Sequence, residues 1–193
     1  LRLGVLGGGQ LGRMMIQEAL NWDVRVEVMD PSPEASCKHL TTRFVQADLK
    51  DADAVVAFGQ GLDAITVEIE HVSVEGLQRL ADQGVEVVPR PAHLGLIQDK
   101  GLQKQAFDAW GIASAPYQLI ESLEEAGAMG FPIVQKLRKG GYDGKGVQIL
   151  KTPQDAQARG FDAPCVLEQA VDIDKELSVI VARSAKGETA VYP

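Results

Sequence analysis

The sequence predicts an α/β protein in two unlike parts: a first half wound on a parallel sheet, and an α+β second half built on antiparallel strands. Three observations carry that prediction. Short apolar runs alternate with helical patterns as far as residue 88, Pro89-Arg90-Pro91 breaks the rhythm, and glycine-rich turns separate the strand-like segments that follow. With 193 residues, 45% of them hydrophobic and 24% charged, the chain has material for one or two domains with a real core.

Leu3-Gly4-Val5-Leu6 is a short apolar strand running into Gly7-Gly8-Gly9. Leu11, Met14, Met15 and Ala19 then recur at three- and four-residue spacing, which predicts a helix over 10–20 with one apolar face. Residues 24–29 read as a second strand ending at Asp30-Pro31, and 64–69 as a third. Ser73 is placed to cap a helix through Ala81, Gly84 stops it, and 85–88 form a fourth strand. The first domain is therefore expected over 1–91. Beyond it, a helix runs from about Asp99 to Trp110 and ends at Gly111. Strands are predicted at 133–137, 147–150, 165–168 and 176–183, with one clear helix near 153–159. Residues 177–183 and 188–192, joined through Ala185-Lys186-Gly187, read as a hairpin.

Composition excludes several classes. A formal charge of −8 argues against a nucleic-acid partner, since phosphate backbones select basic surfaces. One local exception, Lys136, Arg138, Lys139 and Lys145 within ten residues, suits a small anion. No apolar run approaches the roughly 20 residues of a membrane helix, and no basic-then-apolar leader opens the chain. A cytoplasmic protein without a membrane partner is expected. Cys37 and Cys165 lie far apart without metal-site spacing and read as small buried hydrophobes. The opening without Met and the close on Val191-Tyr192-Pro193 lead us to expect a chain cut at both ends.

Two glycine loops carry the chemistry. Gly7-Gly8-Gly9-Gln10-Leu11-Gly12 satisfies GxGxxG after a strand, with Asp30 about twenty residues on, the dinucleotide fingerprint. Its logic serves any phosphorylated ligand on a helix N-terminus equally well. Glu68 and Glu70 alternate with Val67 and Ile69, so both carboxylates are expected on one face of the third strand, at its ligand-facing end. Glu70, nearer that end, is the favoured contact. The second loop, Gly140-Gly141-Tyr142-Asp143-Gly144-Lys145-Gly146, is not a P-loop, which needs Ser or Thr after its lysine. Its glycines let backbone N–H groups close over a polyanion, with Lys136 as a fixed charge and Lys145 as a mobile one. Glu168, Gln169, Ala170 and Val171 form a strand end able to read an adenine edge, and Glu176 stands eight residues after Glu168, placed for ribose hydroxyls.

In order along the chain, 7–13, Thr66-Val67-Glu68-Ile69-Glu70-His71-Val72, Gln98-Asp99-Lys100 with Gln103-Lys104, and 141–146 resemble the 5-(carboxyamino)imidazole ribonucleotide synthases, ATP-grasp ligases of purine synthesis. The resemblance implies a Rossmann-like pre-ATP-grasp domain over 1–91. It also implies a linker helix with an amino-terminal ATP-grasp subdomain over 92–175, and the first strands of a carboxy-terminal subdomain over 176–193. Gly9, Gln10, Leu11 and Glu70, with Tyr142 and Lys145, would then meet the aminoimidazole ribonucleotide. Lys100, Lys136 and residues Gly140, Gly141, Tyr142, Asp143, Gly144, Lys145 and Gly146 would hold ATP phosphates, 168–171 the adenine, and Glu176 the ribose. Lys136, Lys145 and Tyr142 would be the catalytic side chains. The implied reaction joins bicarbonate to the ribonucleotide amine through carboxyphosphate, with ATP and Mg2+, in a homodimer. The family's magnesium ligands belong to a part that follows residue 193, so the ATP-grasp fold is expected to be incomplete here, and the isolated chain inactive. The rival readings are a formate-dependent glycinamide ribonucleotide transformylase, a nicotinamide-dependent dehydrogenase, and a non-catalytic nucleotide-binding fragment.

Overall fold

Strands β1 (Arg2–Leu6), β2 (Arg25–Asp30), β3 (Arg43–Gln46), β4 (Ala64–Val67) and β5 (Glu86–Val87) pair in parallel in the order β3-β2-β1-β4-β5. The computed structural model describes residues 1–141 and 144–192. Helices α1 (Gln10–Leu20), α2 (Ala52–Gly59) and α3 (Val74–Asp82) link these strands. Both faces of the sheet are covered, as parallel sheets require. Val5, Ile16, Val26, Val28 and Cys37 pack on one side, and Leu6, Met29, Phe58, Ile65, Leu77 and Leu80 on the other. Glu27 is buried within this sheet but is held by Arg2 at 2.8 Å and Arg43 at 2.6 Å, the pairing that makes such burial tolerable. Strand order reverses between β1 and β4, so the crevice expected of an open α/β sheet lies beyond Leu6 and Val67.

Ser73 caps α3 by accepting from the Gly76 N–H at 3.1 Å, and Gly84 takes φ +91° after its end, as the sequence predicts. The predicted third strand is shorter than expected: β4 stops at Val67, and after the Glu68 N–H donates to the Leu6 carbonyl at 2.8 Å the chain bends over 68–70. Glu68 and Glu70 therefore do not share a strand face. Residues 31–63, for which the sequence predicts no element, hold β3 and α2. Pro91, read as part of a boundary, opens helix α4 (Pro91–Gln98) at a position where its missing N–H costs nothing.

Helix α5 (Lys100–Ala109) begins at Asp99, whose Oδ1 accepts from the Gly101 and Leu102 N–H groups. Strands β6 (Tyr117–Ile120), β7 (Ile133–Leu137), β8 (Val147–Leu150) and β9 (Cys165–Gln169) form an antiparallel sheet in the order β6-β9-β7-β8. One face packs Ile120, Ile133, Leu150, Cys165 and Leu167 against a 3-10 turn at Leu123–Met129 and helix α6 (Pro153–Arg159). Gln135 is fully buried on that face, with its amide satisfied by the Phe161 carbonyl and N–H, both at 2.8 Å. The alternation of strand side chains puts Tyr117, Val134, Lys136 and Glu168 on the opposite face.

The hairpin is present as β10 (Ile180–Arg183) and β11 (Thr189–Tyr192), but 176–179 are not strand, and every residue of both strands is exposed. Both cysteines are buried and free, and burial pushes the Cys165 thiol up to about 11. Among the described residues no helix is long and apolar enough to cross a membrane.

Candidate functional site

The first glycine loop is closed down on itself. Gly7 adopts φ +107° at the end of β1, and its N–H donates to the Met29 carbonyl at 2.9 Å. Asp30 accepts from the Gly8 N–H and the Ser32 N–H, both at 2.7 Å. The acid that the dinucleotide reading assigns to a ribose hydroxyl is thus engaged by the backbone of the glycine loop and of its own turn. Gly9 precedes α1, and no side chain caps the first turn of that helix, which leaves Gln10, Leu11 and Gly12 at its electropositive end. Glu68, not Glu70, leans over this loop: a Cβ added at Gly7 would lie 2.7 Å from one carboxylate oxygen, and one added at Gly9 2.8 Å from the other. Glu70 is half-buried, and its carbonyl accepts from the Gln98 side chain at 2.7 Å. A carboxylate beside a helix N-terminus equips the crevice for a ligand carrying both an anion and an amine or hydroxyl donor.

The second loop joins β7 to β8. Its neck is closed by the Leu137 N–H donating to the Gly146 carbonyl at 2.8 Å. Gly146 takes φ +79°, and a Cβ on Gly141 would come within 2.9 Å of the Lys145 carbonyl, so side chains are excluded at this neck. Lys145 is exposed. Tyr142 and Asp143 lie outside the described residues. The root of the loop is tied to α5: Arg138 forks onto both oxygens of Asp99 at 3.0 and 2.9 Å, and the Lys100 N–H donates to the Arg138 carbonyl at 2.9 Å. Burial alone would raise the Asp99 pKa, but the Arg138 guanidinium and the Leu102 and Gly101 N–H groups outweigh it and hold the carboxyl below its usual range. The same pairing raises the pKa of Arg138.

Under this loop, on the open face of the antiparallel sheet, Lys136 Nζ lies 2.7 Å from Glu168 Oε2. Lys104, reaching across from α5, lies 3.2 Å from Glu168 Oε1 and 5.6 Å from the centre of the Tyr117 ring. Lys104 is not among the binding residues that the sequence nominates; its signals are that Gln103-Lys104 belongs to the family resemblance and that it stands four residues after Lys100, on the same helix face. Gln169 and Ala170 direct their N–H groups to the Pro116 and Pro132 carbonyls. Val171 and Glu176 lie in an exposed stretch away from this cluster's ion pairs.

A cleft of about 340 Å³, lined by Lys50, His71, Val72, Gln98, Lys139 and Gly140, lies where the two halves meet. A larger cavity of about 840 Å³ sits among Leu123, Phe131, Pro153 and Ala156 on the covered side of the second sheet. Its charged lining is acidic, Glu124 and Asp162, so it does not suit a polyphosphate.

Residues 1–98 match the ribonucleotide synthetase preATP-grasp domain. The chain belongs to that family. Residues 105–193 match the ATP-grasp domain, so this preATP-grasp protein has the fold class that its motifs imply. An N5-carboxyaminoimidazole ribonucleotide synthase of Synechococcus elongatus is 35% identical over 199 residues, covering 99% of this chain and 50% of the relative. The crystal structure of the Thermotoga maritima N5-carboxyaminoimidazole ribonucleotide synthetase superposes with TM-score 0.90 at 38% identity, covering 100% of this chain and 52% of that one. The Aspergillus clavatus N5-carboxyaminoimidazole synthase, in complex with ADP and 5-aminoimidazole ribonucleotide, superposes with TM-score 0.86 at 28% identity, covering 100% and 52%. This preATP-grasp chain thus spans about half the length of the ATP-grasp ligases it resembles.

Proposed function

We propose that the gene product carboxylates 5-aminoimidazole ribonucleotide with bicarbonate at the expense of ATP, through carboxyphosphate, in purine synthesis. One observation carries this reading: a lysine held on β7, Lys136, stands at the base of a glycine loop, while a second, acid-topped glycine loop lies at the switch point of a parallel sheet. The first arrangement suits a polyphosphate and the second a sugar phosphate with an exocyclic amine.

In this reading Lys136 and the N–H groups of 140–146 neutralise charge on the phosphates of ATP as the γ-phosphoryl passes to bicarbonate. Lys100 and Lys145 add charge for the ATP phosphates, and Tyr142 and Lys145 also serve the ribonucleotide. Residues 168–171 take the adenine and Glu176 the ribose. Gly9, Gln10 and Leu11 seat the ribonucleotide phosphate at the start of α1. Glu68, with Glu70 behind it, accepts from the amine and orients it toward the carboxyl carbon. Closure of the second loop keeps water from a labile intermediate. Among the described residues no group of three or more His, Cys, Asp or Glu side chains is arranged to hold a metal ion.

The full-length gene product is expected to release phosphate from ATP only when bicarbonate and 5-aminoimidazole ribonucleotide are both supplied. Release with formate and glycinamide ribonucleotide instead would transfer the assignment to the formate-dependent ligases.

A further inference from the structure

Lys104 is only 8% exposed, and side chains of its type are almost never buried without a partner. Its partner is Glu168, itself 9% exposed, whose second oxygen is held by Lys136. Two ammonium groups thus share one carboxylate. The remaining contacts of Lys104 carry no formal negative charge: the Ala115 carbonyl accepts from it at 3.4 Å, and the Tyr117 ring lies 5.6 Å away. The hydroxyl of that ring is turned to Asp108 at 2.7 Å. The cluster Lys104–Glu168–Lys136 therefore carries a formal charge of +1, whereas a Glu168–Lys136 pair alone would carry none.

We propose that Lys104 is a positioning residue for the nucleotide site. By holding one oxygen of Glu168, it keeps that carboxylate from neutralising Lys136 outright and leaves Lys136 with charge to present to a phosphate. It does so from α5, without touching the nucleotide itself. The arrangement also sets the angle of the Glu168 carboxylate, because each oxygen is fixed by a different element, α5 on one side and β7 on the other. This inference rests on the reading of Lys136 as a phosphate contact.

The test is the ADP dissociation constant of the full-length gene product, measured by calorimetry for a set of charge variants. Lys104→Met is expected to weaken ADP at least tenfold. Glu168→Gln, which removes the shared negative charge but keeps an amide oxygen to accept from the adenine edge, is expected to act in the opposite direction and tighten it. The double variant Lys104→Met/Glu168→Gln restores the net charge and is expected to return within about threefold of wild type, the recovery that a merely structural role for Lys104 would not produce. Lys104→Arg keeps the charge and is expected to stay near wild type. Should Lys104→Met fail to fold, the double variant and Glu168→Gln still decide the sign. A double variant as weak as Lys104→Met, or a Glu168→Gln variant weakened tenfold, overturns the proposal. Lys136→Met separates the two readings. If it weakens ADP while Lys104→Met does not, only the sharing role of Lys104 fails; if it leaves ADP unaffected, the phosphate role of Lys136 fails and the sharing role with it.

Discussion

The glycines of the first loop sit under side chains, whereas two of the four in the second, Gly140 and Gly144, sit in the open. Added Cβ atoms at Gly7 and Gly9 would meet the Glu68 carboxylate, and one at Gly12 would lie 3.1 Å from Cys37 Sγ. At Gly140 and Gly144 an added Cβ would meet nothing within 4 Å. One loop uses glycine to admit close packing, and the other to reach backbone angles that other residues resist. A matched composition therefore describes two devices: a fixed cradle on the parallel sheet and a cover tied at its root to α5.

That contrast can be broken at several points. The largest effect is expected from Lys136→Ala, which removes the fixed charge beneath the cover. ATP-dependent phosphate release by the full-length gene product should fall on the order of 100- to 1000-fold, the loss typical of one preorganised electrostatic contact. Undiminished turnover would separate the second loop from the chemistry. Next is Asp99→Asn, which cuts the anchor of the cover. Breaking its buried pair with Arg138 should destabilise the second half by about 3 kcal/mol, read from urea unfolding. The pKa of Asp99 is held low in the folded protein, so its stabilising contribution is complete above the unfolded value of about 3.9. That contribution fades as pH falls through the lower folded value. The gap between wild type and Asp99→Asn should accordingly stay constant from pH 7 to about 4, then shrink in stronger acid.

The glycines themselves sharpen the comparison. Gly7→Ala combines φ +107° with a contact to Glu68 and should cost about 2 kcal/mol of stability in thermal melts. Gly144→Ala meets open space at φ +76° and should cost only about 1 kcal/mol, the backbone penalty alone. Equal losses at the two sites would erase the distinction between cradle and cover.

The strength of local signals explains what the sequence reveals and what it conceals. β1 with its glycine turn and α3 with its Ser73 cap are legible because apolar period and terminal residues agree there; α1 is legible as a helix, but it buries Gly12 and Ile16, whereas Leu11 and Met14 of the predicted face are exposed. Helix α2 hides because ADAVVAFG is apolar nearly all round and offers no stripe, although Asp51 caps it. β3 is a four-residue edge strand without a buried residue. Both glycine loops, Lys136 and Glu168 stand out as residues, yet their meeting depends on the register of β7 against β9, which no local pattern encodes. Lys104 is hidden for the same reason: its partner lies sixty-four residues away. Glu68 displaces Glu70 at the first loop because β4 ends one residue after Thr66, and an alternation argument fails once the strand has stopped.

The division of labour between cradle and cover is most directly tested by a crystal structure of the full-length gene product soaked with a non-hydrolysable ATP analogue and 5-aminoimidazole ribonucleotide. The account predicts the triphosphate against Lys136 and the N–H groups of 140–146, with the sugar phosphate at residues 9–11. A triphosphate lodged at 7–12 with residues 140–146 untouched would contradict it.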